Sequence, residues 1–208
     1  MFKNLNLNTL QVLAENKDLH IKLNCLPGKY VHKNFAIANF KADKNIDFDE
    51  IEKSINKAIT IGHTRLFDED PRFGLISLTE IASRALSPGI NDPGTAIQII
   101  GSHERLFFLW QKEIESDRKP EVTFNRIEVP QIAIEDFFDD AFRPIARDGA
   151  DNIEVLLRLQ KAFKSIASIE NTSLKENALK NSKEAYHRAE KAITFTKDLE
   201  LLKKECLF

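Results

Sequence analysis

The chain has 208 residues, 42% of them hydrophobic, enough for one medium domain or one domain with a small appendage. Charged residues make up 30% and the formal net charge is −2; this lacks the basic excess or Lys/Arg stripe of a nucleic-acid binder, and no nucleic-acid partner is expected. No apolar run approaches the roughly 18 residues of a membrane span, and the first residues lack a signal-peptide pattern, so the chain as given reads as water-soluble.

The first element in chain order is a short helix over Leu7 to Lys17, with Asn8 as its expected cap. Then the period changes: Ile21, Leu23 and Cys25 alternate, Pro27-Gly28 marks a turn, and Phe35 to Phe40 reads as a second strand. Asp47 to Gly62 carries Ile51, Ile55, Ala58 and Ile59 on one helical face. Glu121 to Val129 reads as a third strand, with a bulge near Asn125, and the three strands are expected to form a small antiparallel sheet.

Ala133 to Arg147 repeats the amphipathic pattern with Phe138, Ala141, Phe142 and Ile145. Pro144 sits inside it and should bend the helix, freeing the carbonyl of Asp140. Gly149 stops that helix, and Asp151 with Glu154 begins the next in capping-box manner, running to Ile169. Leu174, Ala178, Ser182, Ala185, Ala189 and Ile193 form a small-residue seam on a long helix, suited to close helix–helix approach and to self-association. A last short helix covers Asp198 to Cys206. The fold class expected is α+β: a predominantly helical domain with a small N-terminal antiparallel β-sheet. Residues 1–45 form the β-rich part. Residues 46–208 form a helical domain built on a 71–112 hairpin, with one added strand near 121–129.

That hairpin carries most of the information. Asp70-Pro71 and Asp92-Pro93 each place a capping carboxylate before a proline at the first helical position. Leu75 to Leu86 and Pro93 to about Lys112 are apolar nearly all round, which is the pattern of buried helices, so the hairpin is expected to form the core. The polar minority is Arg65, Asp70, Arg84, Ser87, Asn91, Asp92, Thr95 and His103. One reading is a small-anion or metal site where helix N-termini, Arg and carboxylate converge. The other is structural: Asp70 and Asp92 are caps, Asn91 satisfies turn backbone, and Arg84 bonds helix-end carbonyls or an acid.

The same segment resembles a known family. Ala85-Leu86-Ser87-Pro88-Gly89-Ile90-Asn91-Asp92-Pro93 looks like the signature of an uncharacterised bacterial family of predicted membrane proteins. Weaker similarity runs from about Leu10 to Leu202 and includes Pro27, Gly28, Val31, Gly62, Arg65 and the Ala141 to Asn152 block. The family usually has a second glycine after the Pro-Gly turn, where this chain has Asn34. The resemblance implies transmembrane helices before a soluble C-terminal region. This chain then corresponds to the soluble region of a protein associated with the bacterial cell membrane through an N-terminal part.

Other constellations point to bland roles. Glu135, Asp136, Asp139 and Asp140 could hold a cation, but acids favour the first half of a helix, and Asp139 and Asp140 can pair with Arg143. Cys25 and Cys206 are not in a metal spacing, and the five His form no H-E-x-x-H pattern. A P-loop, Gly-x-Gly-x-x-Gly and Gly-x-Ser-x-Gly are all missing, so no cofactor, metal or catalytic residue is assigned. The expected role is non-enzymatic, in assembly or regulation of a membrane part, with homo-oligomerisation. The alternatives are a small-anion or metal sensor at Arg84, Asn91 and Asp92, and behind it a hydrolase using Asp92 or Asp70 as a base.

Overall fold

The structure, a computed structural model, describes residues 1–42, 47–115 and 123–208. The fold is α+β, mostly helical with two small sheets. The chain divides into two compact units, one of residues 1–73 with the described part of 119–131, the other of the remainder.

In the first unit, β1 (Phe2–Leu5) leads into α1 (Leu7–Lys17). The cap is Asn6, not Asn8: its side chain accepts from the Thr9 N–H at 2.9 Å. Both positions are Asn, and only the tertiary path of β1 decides between them. Asp18 closes the helix in the left-handed region at φ 53°, which a short polar side chain tolerates. Then β2 (Leu19–Leu23) alternates buried and exposed residues and pairs antiparallel with β3 (Ala38–Ala42). The strand expected over Phe35 to Phe40 is therefore displaced towards the C-terminus.

Of the segment expected as a third strand, residues 121 and 122 lie outside the described residues, and β5 (Ile127–Glu128) is its ordered strand. It joins β2 in parallel, Ile21 opposite Ile127, rather than antiparallel. A long excursion of chain separates β5 from β2, and parallel neighbours require such a crossover. Gln11 secures the approach to β5: its Nε2 donates to Asn125 Oδ1 at 2.7 Å and its Oε1 accepts from the Arg126 N–H at 3.3 Å.

The helix expected to reach Gly62 is shorter. Asp47 caps α2 (Phe48–Ala58), and Ile59–Ile61 turn into β4, antiparallel to β1. The core beneath comprises Leu10, Ala14, Leu19, Ile21, Leu23, Ile51 and Ile55, all fully or nearly fully buried.

The second unit is helical. Here α3 (Pro71–Ala85), which carries the chain into it, is followed by α4 (Pro93–Glu115), α5 (Ile134–Ala141) and α6 (Arg143–Asp148). Then come α7 (Ile153–Ala167), α8 (Thr172–Ala192) and α9 (Thr196–Lys204). The helix-starting side chain of α7 is Asn152, which accepts from the Val155 N–H at 3.0 Å, so the cap falls one residue after Asp151. Phenylalanines fill the centre as edge and stacked pairs: Phe107 on Phe138 at 4.8 Å between centroids, Phe142 on Phe163 at 5.1 Å. The small-residue seam of α8 is used inside the chain. Ala178, Ser182, Ala185 and Ala189 are buried, and the Ser182 hydroxyl donates to Gln160 Oε1 of α7 at 2.5 Å.

One expectation about α4 fails. It buries a single stripe, Ala96, Ile100, His103, Phe107 and Gln111, while Leu106, Phe108, Leu109 and Ile114 stay exposed. An apolar circumference therefore did not mean a fully buried helix.

Candidate functional site

Seven of the eight polar residues singled out in the sequence, all but His103, are divided between the two units. Arg65 and Asp70 belong to the first; Arg84, Ser87, Asn91, Asp92 and Thr95 belong to the second. Arg65 closes on Asp70 through Nε at 2.6 Å and Nη2 at 2.5 Å, both to Oδ2. The free Oδ1 accepts from the Phe73 N–H at 3.2 Å, so one carboxylate serves as ion-pair partner and helix cap. The guanidinium also lies over the Phe73 ring, 5.1 Å from its centroid. Asp70 is 3% exposed, and a charge so buried is tolerable only with this full set of partners. Gly28 makes the closest approach: it sits at φ 93°, and a Cβ there would overlap Asp70 Oδ2.

The tip of the α3–α4 hairpin spends its polar groups on its own backbone. The Ser87 hydroxyl donates to the Arg84 carbonyl at 2.7 Å, and the Ile90 and Asn91 N–H groups both return to the Ser87 carbonyl. Asn91 adopts φ 49°, the left-handed region that Asn enters most readily after Gly. The Asp92 N–H then closes the loop onto the Ala85 carbonyl at 2.8 Å. Asp92 caps α4 with both oxygens: Oδ1 accepts from the Thr95 N–H at 3.1 Å and Oδ2 from the Thr95 hydroxyl at 2.6 Å. That hydroxyl, with backbone N–H groups behind it, holds the Asp92 carboxyl below its usual range. Arg84 is different. Its side chain is exposed and makes neither the helix-end contact nor the acid pair expected of it among the described residues.

A third cluster joins His103, one of the polar residues singled out, to Thr79, which was not among them. The Thr79 hydroxyl, on α3, donates to the Asp140 carbonyl at 2.7 Å and leans on the Ala141 carbonyl at 3.2 Å. Pro144 has no N–H to offer Asp140, so the hydroxyl takes the place of the missing helical donor. With its only proton so placed, Thr79 accepts from His103 Nε2 at 3.0 Å. This assigns the Nε2–H tautomer and leaves Nδ1 a bare acceptor, buried without a partner among the described residues. Burial pushes the His103 pKa from 6.5 down to about 4, so the ring is neutral at physiological pH. The freed Asp140 carbonyl was the one signal in the sequence that a donor had to arrive; nothing local said that it would be Thr79.

Two acids of the α5 cluster are tied into ion pairs. Asp139 meets Arg143 at 2.9 Å one turn on, and Glu135 bonds Lys180. Among the described residues no three His, Cys, Asp or Glu side chains gather at metal-binding range, and both cysteines are buried thiols. Among the same residues, no helix is long and apolar enough to cross a membrane.

Comparison with known proteins adds a family. Over 42 residues the chain is 52% identical to Uncharacterized protein Mb1321c of Mycobacterium bovis and to Uncharacterized protein Rv1290c of Mycobacterium tuberculosis. That stretch is 20% of this chain and 8% of either relative, so the chain matches only a small part of their length. No solved structure matches it. The model of the family described as "Predicted membrane protein (DUF2254)" covers residues 1–165, most of the chain, whose hairpin and Arg65–Asp70 pair both lie within that span; the chain belongs to this family.

Proposed function

We propose that this chain is a non-enzymatic region of a bacterial membrane protein, acting in assembly or regulation of the membrane part, with the α3–α4 hairpin as a structural organiser. The observation that carries this reading is the closure of the hairpin tip. The Ser87, Asp92 and Thr95 side chains are committed to its backbone and to the α4 cap, and Asn91 contributes its backbone N–H and its left-handed φ of 49°. A carboxylate held below its usual range, as Asp92 is, is also a poor general base near neutral pH, which weighs against a hydrolase. Self-association belongs to the same proposal. With the α8 seam used internally, the exposed Leu106, Phe108, Leu109 and Ile114 of α4 supply the surface for a second copy. Isothermal titration of the chain with magnesium, zinc and phosphate tests the reading: it expects no saturable heat, and a saturable isotherm lost in Asp92→Ala contradicts it.

Arg84 favours a second reading. A guanidinium left exposed beside a turn, with no ion pair among the described residues, could take a small anion, which would make the hairpin a sensor rather than an organiser. The position beside a helix C-terminus also suits a cation with no ligand at all. Saturable phosphate binding abolished by Arg84→Ala would decide for the sensor.

A further inference from the structure

Residues 19–42 contain Lys22, Lys29, Lys33 and Lys41 and no Asp or Glu, in a chain whose formal net charge is −2. Lys22 is taken up by Glu128 across the sheet. Lys29 and Lys33 are exposed and form no ion pair among the described residues. Between them Tyr30 is 78% exposed, the most exposed large apolar side chain among the described residues.

This loop is held at both ends. At its start the Gly28 N–H donates to the Phe2 carbonyl at 2.8 Å and the Phe2 N–H to the Lys29 carbonyl at 2.9 Å, with Gly28 seated against Asp70. At its end the Phe35 N–H donates to the His32 carbonyl at 2.9 Å, and Asn24 Nδ2 donates to the Ala36 carbonyl at 2.8 Å. An exposed aromatic ring flanked by two lysines, on a loop held at both ends, is cheap to dock, because little order remains to be gained. Its ring and hydroxyl suit the boundary between hydrocarbon and water, where Tyr is enriched, and lysines beside it suit anionic headgroups.

We propose that the loop of residues 29–34, between β2 and β3, contacts anionic phospholipid, with Tyr30 at the interface and Lys29 and Lys33 on the phosphates. The inference rests on reading the chain as part of a membrane protein, and its family membership favours lipid over nucleic acid. A single aromatic residue also falls short of the row of stacking side chains that a single strand requires.

The test is co-sedimentation of the 208-residue chain with vesicles of phosphatidylcholine alone or mixed with phosphatidylglycerol, beside Lys29→Gln/Lys33→Gln and Tyr30→Ser. The wild type should bind the mixed vesicles, less so in high salt. The double variant should lose about 25-fold, roughly fivefold for each lysine near a charged surface. Tyr30→Ser should weaken binding with melting unchanged. Binding that survives both substitutions overturns the loop assignment while the membrane-protein reading stands. Absence of wild-type binding to either vesicle overturns it too. Capture of a single-stranded oligonucleotide, lost in the double variant and unaccompanied by vesicle binding, would reassign the loop to nucleic acid.

Discussion

Thr79 donates its hydroxyl proton to the carbonyl of Asp140 at 2.7 Å, although 61 residues separate them. That carbonyl faces Pro144 one turn on, which has no proton to give. The helix break between α5 and α6 is thus held to α3 by one hydroxyl, and His103 of α4 completes the link.

Removing that hydroxyl should cost about 1–3 kcal/mol, the range for leaving a buried polar group unsatisfied. Thr79→Val keeps the shape and removes the hydroxyl that serves both the Asp140 carbonyl and the His103 N–H. Pro144→Ala supplies an N–H to the same carbonyl, so the double variant should lose less than the sum of the single losses. Urea unfolding of the four proteins checks this; strict additivity would mean the two residues do not share the carbonyl.

His103 makes the chain acid-sensitive. Its folded pKa lies at about 4, below its ordinary 6.5, so the unfolded chain binds the proton more readily. Stability is therefore full above 6.5, falls as pH drops through the window to about 4, and levels off below it. The total from this group is about 3 kcal/mol, at 1.36 kcal/mol for each unit. His103→Gln should flatten the melting temperature across that window, whatever its own cost; an unchanged slope would refute the assignment.

The Arg65–Asp70 pair predicts a large loss in the other unit. Asp70→Ala strands a guanidinium that is one-fifth exposed and removes a helix cap, for a cost of about 3 kcal/mol. Gly28→Ala should also be destabilising, because its φ of 93° is strained for Ala and its methyl would strike Asp70. The two variants share one contact, so chemical denaturation of the double variant should show sub-additive losses.

Self-association through α4 predicts a concentration-dependent sedimentation coefficient. Leu109 is 59% exposed, so Leu109→Lys should abolish the dependence and leave melting unchanged at concentrations too dilute for association. A concentration-independent monomer in the wild type would exclude this part of the proposal.

The punctuation of the helices was legible in the sequence, and the long-range contacts were not. Asp70-Pro71 and Asp92-Pro93 announce α3 and α4, because capping carboxylate and N1 proline act within one turn. Pro144 announces a break for the same local reason. Asn6 and Asn152 escaped because each has a neighbour of equal capping strength, Asn8 and Asp151, two residues and one residue away. Ile59 fits both the face of α2 and the start of β4, and only β1, far away in sequence, selects the strand. Thr79 with Asp140 and Gly28 with Asp70 lie beyond any local pattern, since each pair exists only after packing. The candidate site was read as one group of residues, and its members are divided between two separately packed units.

The central claim is that the hairpin residues organise structure rather than bind a ligand. The most direct test is thermal melting of the wild type, Asp92→Ala and Arg84→Ala with and without divalent metals and phosphate-type anions. A ligand at about 100 times its Kd would add about 2.7 kcal/mol, readable at roughly 2–4 °C per kcal/mol for a chain of this size. The account predicts no ligand shift, and a lower Tm for Asp92→Ala at neutral pH. Because the folded carboxyl titrates below 3.8, that deficit should fade as pH falls beneath this value. A ligand-induced rise in the wild type that disappears in Arg84→Ala and Asp92→Ala would contradict the claim and make the hairpin tip a binding site.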